Sequence, residues 1–544
     1  MKAPVRTALA LVGRTAWAAV VLALSAAVVV AAARLPGEAT EPVAPLQAVA
    51  PPVASVLTCP GPLRLATEQE GTDATYDPAF DPSPADATSD LVVVTAAPGD
   101  EAAEADQPSG AAAAVVTPMA GGAPVGELAA GVEAGVLTLP GADAGRAVHA
   151  DPVGEVPPWA SAGVTWRAGT GDLRGLAAAS CRRPSATTWL VGGSTVLGSS
   201  ARLVLQNPGA TPATVGLRMW GSRGPVELAG APDYLVGPGE EETILLEGLA
   251  AEQSQVVVEV TATGGLVSAY LQDSRTDGLT PAGVDLVVSG AEPATDLMVP
   301  AISVTEDDPE AAVLRLLAPG AQADPADAAG DAADDEGPQR GTAHVALFGP
   351  DGVVELPGTE DISLDVGDVI DVPLDGLEPG DYTAWVTADV PVVAGATVTR
   401  PGAAQGGGDA AVERAWSPAL VGGVSGPLAV PGNEPGRLVL GAAPADGVSG
   451  SARAEVLALD AAGAVLVRRD VTVPVSGTVS LDLAGLVQAP ADDDEAPERA
   501  TAVVVRTDDP RIAWGVVLET PGAVAVLAPV PQQSARPGVA VTLR

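Results

Sequence analysis

Apolar and polar positions recur along this chain in a pattern that ends three times on Leu-x-Gly-Leu. In each copy a strand-like apolar run leads into this motif, and a threonine before another apolar run follows it. The copies are Leu246 to Leu249 with Thr261, Leu374 to Leu377 with Thr387, and Leu483 to Leu486 with Thr507. The interval of about 110 to 125 residues is that of one small β-sandwich domain. The pattern therefore predicts three tandem sandwich units.

Within each unit the hydrophobic pattern favours strands over helices. Residues 214–220 alternate apolar with small or polar side chains, and the Asn-Pro-Gly turn signal at 207–209 precedes them. Short strands with turn signals about every eight to twelve residues are typical of immunoglobulin-like sandwiches. We expect the two strands around the repeated threonine to form a hairpin. The predicted core residues of the repeat are Trp189, Leu246, Gly248, Leu249, Leu374, Gly376, Leu377, Trp416, Leu483, Gly485 and Leu486.

The entrances of the units set the predicted domain boundaries. Trp189 and Trp416 each begin an entrance that ends on Val-Gly-Gly, and Met298 stands at the entrance of the middle unit. The fold class is thus mainly β: an N-terminal transmembrane helix, a β-rich domain and three immunoglobulin-like units. The predicted segments are a cytoplasmic tip (1–14), an anchor or signal segment (15–33), a Pro-rich stalk (34–54), a β-rich N-terminal ectodomain with disordered insertions (55–188), and units at 189–296, 297–415 and 416–544 with the tail.

The N-terminus resembles an export or anchoring segment. Lys2, Arg6 and Arg14 precede an uncharged apolar stretch at 15–33, which is long enough to span a bilayer as a helix. Positive residues on its N-terminal side place that side in the cytoplasm and the remainder outside. The small residues at 31–33 also fit a signal-peptidase rule, so a cleaved signal peptide remains the alternative.

Two acidic, Ala- and Gly-rich stretches interrupt the units. They lie at 318–341 and 489–499, and their low hydrophobicity and like charge predict disordered surface loops. Calcium binding by acidic runs such as 306–308, 334–336 and 492–495 is the alternative interpretation. Calcium needs spaced oxygen ligands around a tight turn, whereas these runs are contiguous, so solvated loops are favoured and no metal site is predicted.

Composition narrows the function classes. The net charge of −42 repels phosphate backbones, which excludes nucleic acid as a partner. Aromatic residues make up only 3% of the chain, and Lys2 is its single lysine, a bias typical of GC-rich bacterial genomes. The cysteines are Cys59 and Cys181. In an oxidising exterior they are expected to form a disulfide, with two buried free thiols as the alternative.

The sequence offers few residues and motifs typical of enzyme active sites. His149 and His344 are the only histidines, lie far apart in sequence and have no metal-ligand or catalytic-triad context. The Gly-x-Ser-x-Gly, His-Glu-x-x-His and phosphate-loop motifs do not occur. We therefore expect a non-enzyme with no cofactor. A pair of carboxylates acting on a glycan, or a glycan-binding module using an exposed tryptophan, remains the alternative.

Several segments together resemble a known family. They are the Trp-Leu-Val-Gly-Gly-Ser-Thr entrance at 189–195, the strand and turn at 202–209, the Cys-Pro-Gly-Pro segment at 59–62 and the N-terminal anchor. With these features the chain resembles membrane-anchored actinobacterial envelope proteins of unknown function. The resemblance implies an array facing the cell wall, attached to the cytoplasmic membrane by the N-terminal helix. Its expected partner is a cell-wall polymer or another envelope protein.

Overall fold

The structure is a computed structural model of the full chain. It describes residues 16–28, 30, 46–48, 52–65, 87–98, 110–141, 143–154, 156–230, 233–305, 311–320, 340–404, 410–445, 448, 450–486, 499–533 and 539–541. The predicted tip at 1–14 lies outside these residues. Most of the predicted stalk at 34–54 and of the insertions at 318–341 and 489–499 also lies outside them.

The chain divides into two compact units, and the smaller comprises Met1–Pro51 with Arg536–Arg544. Its described elements are helix α1 at residues 16–28 and strands β1 (Leu46–Ala48) and β35 (Val539–Val541), which pair antiparallel. Among the described residues, no helix combines the length and the apolar character needed to cross a membrane.

The described residues of the larger unit, Pro52–Ala535, form four β-sandwiches rather than three. The additional one, sandwich 1, is built by the region before Trp189, where a β-rich domain of undefined topology was predicted. Its strands are β2 (Ser55–Cys59), β3 (Thr88–Ala96), β4 (Ala114–Pro118), β5 (Gly126–Leu128), β6 (Ala134–Pro140), β7 (Arg146–Ala150), β8 (Trp159–Ala168) and β9 (Gly175–Ser180).

Sandwich 2 and sandwich 3 follow, each with one extra short strand. Sandwich 2 contains β10 (Thr187–Val191), β11 (Ser199–Gln206), β12 (Ala213–Gly221), β13 (Gly224–Val226), β14 (Asp233–Val236), β15 (Glu241–Leu245), helix α2 (Leu246–Leu249), β16 (Val257–Thr263), β17 (Ser268–Asp277) and β18 (Thr280–Val288). Sandwich 3 contains β19 (Ala294–Val304), β20 (Ala312–Leu317), β21 (Arg340–Gly349), β22 (Gly352–Val354), β23 (Ile362–Asp365), β24 (Val369–Pro373), β25 (Gly380–Ala404) and β26 (Ala410–Pro418).

Sandwich 4 completes the array. It contains β27 (Gly426–Ala429), β28 (Gly436–Ala442), β29 (Ala452–Leu459), β30 (Val465–Val473), β31 (Gly477–Asp482), helix α3 (Leu483–Leu486), β32 (Ala502–Arg506), β33 (Ile512–Thr520) and β34 (Ala523–Leu527). The predicted mainly β fold is therefore confirmed.

All four sandwiches share one strand order. The first, sixth, third and fourth strands form one sheet, which we call the A sheet, and the fifth, second, seventh and eighth form the B sheet. In sandwich 3 the long strand β25 bends and serves as both sixth and seventh strand. An immunoglobulin domain instead places its first and second strands in one sheet. The sandwiches are therefore Greek-key-like β-sandwiches with a different strand partition from the immunoglobulin fold.

The predicted hairpin around the repeated threonine is wrong. Strands β16 and β17 flank the turn after Thr261 and lie in opposite sheets, and so do β32 and β33 around Thr507. The connection crosses from the A sheet to the B sheet because each of these strands is hydrogen-bonded to other partners on both sides.

The predicted unit boundaries fall inside strands. Trp189 lies in β10, the first strand of sandwich 2, but Trp416 lies in β26, the last strand of sandwich 3, where it faces Thr397. The two tryptophans therefore do not occupy matching positions. The boundary between Ala415 and Trp416 divides a strand that is fully paired with β25.

The four sandwiches close into a ring. The A sheet of each sandwich packs on the B sheet of the next, and the A sheet of sandwich 4 packs on the B sheet of sandwich 1. We call these contacts seams 1/2, 2/3, 3/4 and 4/1. The eighth strands β9, β18, β26 and β34 contact one another in sequence around the centre of the ring. These edge strands are thereby covered by one another, which protects this one edge of each B sheet from pairing with another chain.

Candidate functional site

Each seam is built around one position on the second strand of the B sheet. In sandwiches 2, 3 and 4 this residue is Arg202, Arg315 or Arg437, and each stands immediately before a fully buried leucine of the sandwich core. Two residues after each arginine, the apolar side chain of Val204, Leu317 or Val439 is buried. The alternation directs the leucine inward, while the arginine and the second apolar residue face the preceding sandwich.

At seam 2/3, Arg315 reaches across to the backbone of sandwich 2. Its guanidinium pairs with Asp371 on its own sheet, at 2.8 Å from Nε and 3.0 Å from Nη2. Nη1 donates to the carbonyls of Gly193 at 2.8 Å and Val256 at 3.3 Å. Gly193 has a φ of +89°, a conformation that suits glycine. Arg315 thus hydrogen-bonds to the backbone of sandwich 2 just after its first strand and just before its sixth strand.

At seam 3/4, Arg437 makes the equivalent contact through side chains. Its Nε and Nη2 each donate to the Asp381 carboxylate at 2.9 Å, and Nη2 also donates to Ser303 Oγ at 3.0 Å. Glu519 joins Arg437 to Arg400, which donates to it at 2.8 Å. Burial alone would raise the pKa of Asp381, but the hydrogen bonds and charge of Arg437 outweigh it and hold that pKa below its usual value.

Seam 1/2 is joined mainly through backbone groups. Arg202 Nη1 donates to the Leu65 carbonyl at 3.4 Å. Beside it, Gln272 accepts from the Arg64 N–H at 2.9 Å and donates to the Arg64 carbonyl at 2.7 Å. Gln206 donates to the carbonyl of Cys59 at 3.0 Å. Three seams therefore place an arginine from the second strand against the neighbouring sandwich, either at the end of its first strand or in the chain that follows it.

Seam 4/1 differs because Asp90 stands at this position in sandwich 1. Asp90 precedes the buried core residue Leu91, faces Pro140 and Thr165 on the flanking strands, and is followed by the seam residue Val92. It therefore occupies the place of the three arginines.

A cleft of about 600 Å³ opens at Asp90. Pockets of this size are typical of small-ligand sites. The described residues that line it are Asp90, Val92 and Thr138 from sandwich 1, with Gly432, Asn433, Asp460, Ala461, Ala462, Arg499 and Thr501 from sandwich 4. Burial, and next the charge of Glu434, raise the pKa of the Asp90 carboxyl.

The other charged groups of the cleft are held by local contacts. Oδ1 of Asp460 accepts the N–H groups of Ala462 and Ala464, each at 2.8 Å. Arg499 is exposed at the rim and its Nη1 donates to Asn433 Oδ1 at 2.7 Å. Behind the cleft, Arg167 pairs with Glu434 at 3.0 Å. No described residue donates a hydrogen bond to the Asp90 carboxylate.

Two buried carboxylates lie at the centre of the ring. Asp285 on β18 accepts the N–H of Ala178 at 3.4 Å and that of Trp416 at 2.7 Å. Glu413 on β26 accepts the N–H of Leu176 at 3.4 Å, and burial raises its pKa to about 7. Both groups satisfy backbone donors of neighbouring edge strands, which is a structural role.

The predicted disulfide is confirmed. Cys59 at the end of β2 and Cys181 after β9 are bonded, and both are fully buried. The bridge fixes the chain just before Arg182 and Arg183. Arg182 donates a hydrogen bond to the Pro529 carbonyl at 3.3 Å, and Arg183 donates one to the Pro531 carbonyl. The residues after sandwich 4 are thereby tied to the end of sandwich 1.

The residues predicted from the repeat lie away from the cleft. The leucines of Leu-x-Gly-Leu are buried except Leu249, which is half-buried, and the glycines Gly248, Gly376 and Gly485 are exposed. In sandwiches 2 and 4 the motif forms the one-turn helices α2 and α3, and in sandwich 3 a turn. Trp189 stacks on Trp220 at seam 2/3, and Trp416 donates through Nε1 to Asp273 at 2.9 Å.

Neither histidine contributes to a site. His344 is exposed, with Nδ1 2.8 Å from the carbonyl oxygen of Glu360, and His149 is half-buried on β7. Within the described ranges, no group of three or more metal-ligating side chains comes together. The acidic runs at 306–308, 334–336 and 492–495 lie outside those ranges.

Sequence reasoning missed the cleft because it treated the region before Trp189 as unrelated to the repeat. A signal existed: Asp-Leu-Val at 90–92 has the same second and third residues as Arg-Leu-Val at 202–204 and 437–439, with an aspartate in place of the arginine.

Residues 136–484 match the model of a family described as "Family of unknown function (DUF5719)". The chain belongs to this family. No curated protein matches this DUF5719 member. Among solved structures, the pilus adhesin SpaC from Lactobacillus rhamnosus GG, in its open conformation, aligns with 10% identity and a TM-score of 0.09. The alignment covers 83% of this chain and 57% of the adhesin chain, and so low a TM-score carries no argument about fold or function.

Proposed function

We propose that this protein is a non-enzymatic scaffold or interaction protein, tethered to the membrane and facing the exterior of an actinobacterial envelope. The observation that carries the proposal is the closed ring of four sandwiches. Nearly every buried charged group described above joins one sandwich to another or caps a strand edge, as Arg315, Arg437 and Asp285 do. Such a ring presents a rigid set of surface loops to a partner.

The disulfide and the N-terminus support the proposed compartment. A disulfide such as Cys59–Cys181 persists in oxidising surroundings outside the cytoplasm. The positive residues Lys2, Arg6 and Arg14 before the apolar stretch at 15–33 fit an anchor with a cytoplasmic N-terminus. Membrane fractionation, with the mass of the mature N-terminus, tests this part. Recovery of a soluble chain cleaved near residue 33 would replace the anchor with a signal peptide.

Capture of envelope components tests the interaction role. The full-length protein is used as bait against native envelope extracts and purified cell-wall glycans. The Arg437→Ala variant removes the Arg437–Asp381 ion pair of seam 3/4 and is used to disrupt the ring. Arg340→Ala, which removes an exposed ion pair, is the matched control. We expect a partner retained by the wild type and Arg340→Ala but lost by Arg437→Ala. Reproducible turnover of a substrate by the purified protein would contradict the proposal.

A carboxylate-dependent glycan hydrolase is the second candidate. The specific observation is that Asp90 and Asp460 line one cleft, and that burial raises the pKa of Asp90, as a general acid requires. Incubation with cell-wall glycans tests it, with Asp90→Asn and Asp460→Asn as variants. Release of reducing ends that both substitutions abolish would establish this function in place of the first.

A further inference from the structure

The cleft at seam 4/1 corresponds to the place where a guanidinium lies at seam 2/3. There, Arg315 Nη1 is held by the carbonyl of Gly193, after the first strand, and that of Val256, before the sixth strand. In sandwich 4 the strand pairing places Thr501, just before β32, at the position of Val256, and Gly432, after β27, lies one residue beyond the position of Gly193. Both Thr501 and Gly432 line the cleft. Gly432 also shares the positive φ of Gly193, at +84°.

The cleft therefore has the shape that receives an arginine, but the ring supplies an aspartate. Asp90 is several bonds shorter than arginine and carries the opposite charge. Its carboxylate receives no hydrogen bond from a described residue and faces the negative charge of Glu434. Asp460 adds a second carboxylate to the lining. A half-buried carboxylate without a donor is stabilised by a cation that pairs with it.

From this correspondence, we propose that the cleft at Asp90 binds a guanidinium or ammonium group presented by a partner, most simply an arginine side chain of an envelope protein. The ligand's cation lies between Asp90 and the chain at Gly432 and Thr501. Val92 and the alanines at 461 and 462 contact its aliphatic stem. The net charge of −42 favours the approach of such a ligand over long range.

Among the described residues that line the cleft, Arg499 is the one cation. It is exposed, lies at the rim and donates to Asn433. It opposes a bound cation through charge alone. Its removal should therefore strengthen binding, whereas removal of the Asp90 charge should weaken it. The two substitutions in one cleft thus predict opposite effects on affinity.

Titration calorimetry of the full-length protein at low salt tests the proposal. The probes are Nα-acetyl-arginine amide, charged only at the guanidinium, and Nα-acetyl-citrulline amide, its neutral isostere. We expect the arginine compound to bind at least about tenfold more tightly, because a charge-assisted hydrogen bond contributes about 1.5 to 3 kcal/mol. Asp90→Asn should remove most of this preference, and Arg499→Gln should increase affinity several-fold. Asp375→Asn, on an exposed turn, is the matched control and should change nothing.

A further variant restores the arginine. Asp90→Arg should fill the cleft as Arg315 fills seam 2/3, abolish binding and raise the melting temperature. A peptide with one arginine between glycines separates two sources of the cation. Tighter binding than the single amino-acid derivative indicates a protein partner, and equal binding indicates a small free cation.

The proposal rests on the interaction role of the ring but can fail separately. No binding of the arginine compound, equal binding of citrulline, or wild-type affinity in Asp90→Asn would overturn it, even if envelope capture succeeds. Binding that depends on Asp90 would stand even if no partner is captured from envelopes. Should Asp90→Asn fail to fold, the opposite shift expected for Arg499→Gln decides the matter.

Discussion

The Asp285 carboxylate accepts the backbone N–H of Trp416 at 2.7 Å, which joins the last strand of sandwich 2 to the last strand of sandwich 3. The same carboxylate accepts the N–H of Ala178, on the last strand of sandwich 1, at 3.4 Å. One fully buried side chain therefore connects three of the strands at the centre of the ring. Burial raises its pKa well above the usual value, and the accepted hydrogen bonds oppose that rise.

Replacing Asp285 with asparagine should destabilise the ring. An amide has one acceptor oxygen, so its NH2 group would face one of the two backbone donors that Asp285 satisfies. A buried donor left unsatisfied costs about 1 to 3 kcal/mol. Urea unfolding followed by tryptophan fluorescence measures the loss. Asp277→Asn, at the exposed end of β17, should leave the midpoint unchanged. Equal midpoints for both variants would contradict the assigned role.

Because of Glu413, we expect the free energy of unfolding to fall as the pH rises from about 4.5 to about 7. Burial raises its pKa in the folded chain from 4.5 to about 7, so in this range the folded chain keeps a proton that the unfolded chain has lost. Its contribution is therefore present below about pH 4.5 and is lost as the pH rises to about 7. The full effect is at most about 3 kcal/mol.

The Glu413→Gln variant isolates this effect. The amide cannot titrate, yet its oxygen can still accept the Leu176 N–H. Asp285 contributes a dependence of the same sign, so the variant should flatten the curve in part. Thermal melts from pH 4.5 to 7.5 provide the measurement. A parallel decline in wild type and variant would show that Glu413 is not responsible.

Breaking the ion network at seam 3/4 should cost far more than breaking an exposed pair. Arg437→Ala leaves the buried Asp381 and the half-buried Glu519 with less compensation, and such losses cost about 3 to 5 kcal/mol. The Arg340–Asp365 pair has side chains 77% and 57% exposed, so Arg340→Ala should cost at most about 1 kcal/mol. Denaturant midpoints of the two variants test this ranking, and equal losses would contradict it.

Removing the Cys59–Cys181 bond should lower the stability of the protein and weaken the contact of Arg182 with the Pro529 carbonyl. The bond closes a sequence separation of 122 residues, and its loss should cost about 2 to 5 kcal/mol. Because Arg182 follows Cys181 directly, we also expect faster amide exchange at Ala160, whose N–H donates to Gln532 Oε1 at 3.0 Å. Hydrogen exchange of the oxidised protein and a Cys59→Ser/Cys181→Ser variant provides the comparison. An unchanged exchange rate at Ala160 would show that the disulfide does not stabilise the contacts of seam 4/1.

The sequence predicts single strands better than their partners. The mainly β fold, the disulfide and the buried leucines of the repeat all follow from local patterns. The local sequence predicts a hairpin after Thr261, but the Gly-Gly turn at 264–265 is equally compatible with a connection that crosses between the sheets. What decides between them is the pairing of β16 with β12, which is distant in sequence.

The packing of one sandwich on the next could not be predicted from the local pattern either, although one feature of the sequence indicates it. Strand β3 is apolar at four consecutive positions, 91–94, where an outer strand would alternate. Leu91 and Val93 fill the sandwich core, while Val92 and Val94 fill the seam. A continuous apolar run indicates burial on both faces. Which sandwich covers the second face depends on ring closure, which is set by contacts hundreds of residues apart.

Ring closure also imposes an order on biosynthesis. Seam 4/1 joins groups as distant as Ala160 and Gln532, 372 residues apart. Sandwich 1 leaves the ribosome first, yet Val92 and Val94 on its B sheet stay uncovered until sandwich 4 is complete. Contacts of such long range form slowly, and exposed apolar strands promote aggregation meanwhile. We therefore expect the nascent protein to need chaperone protection, or delayed folding, until sandwich 4 has been synthesised.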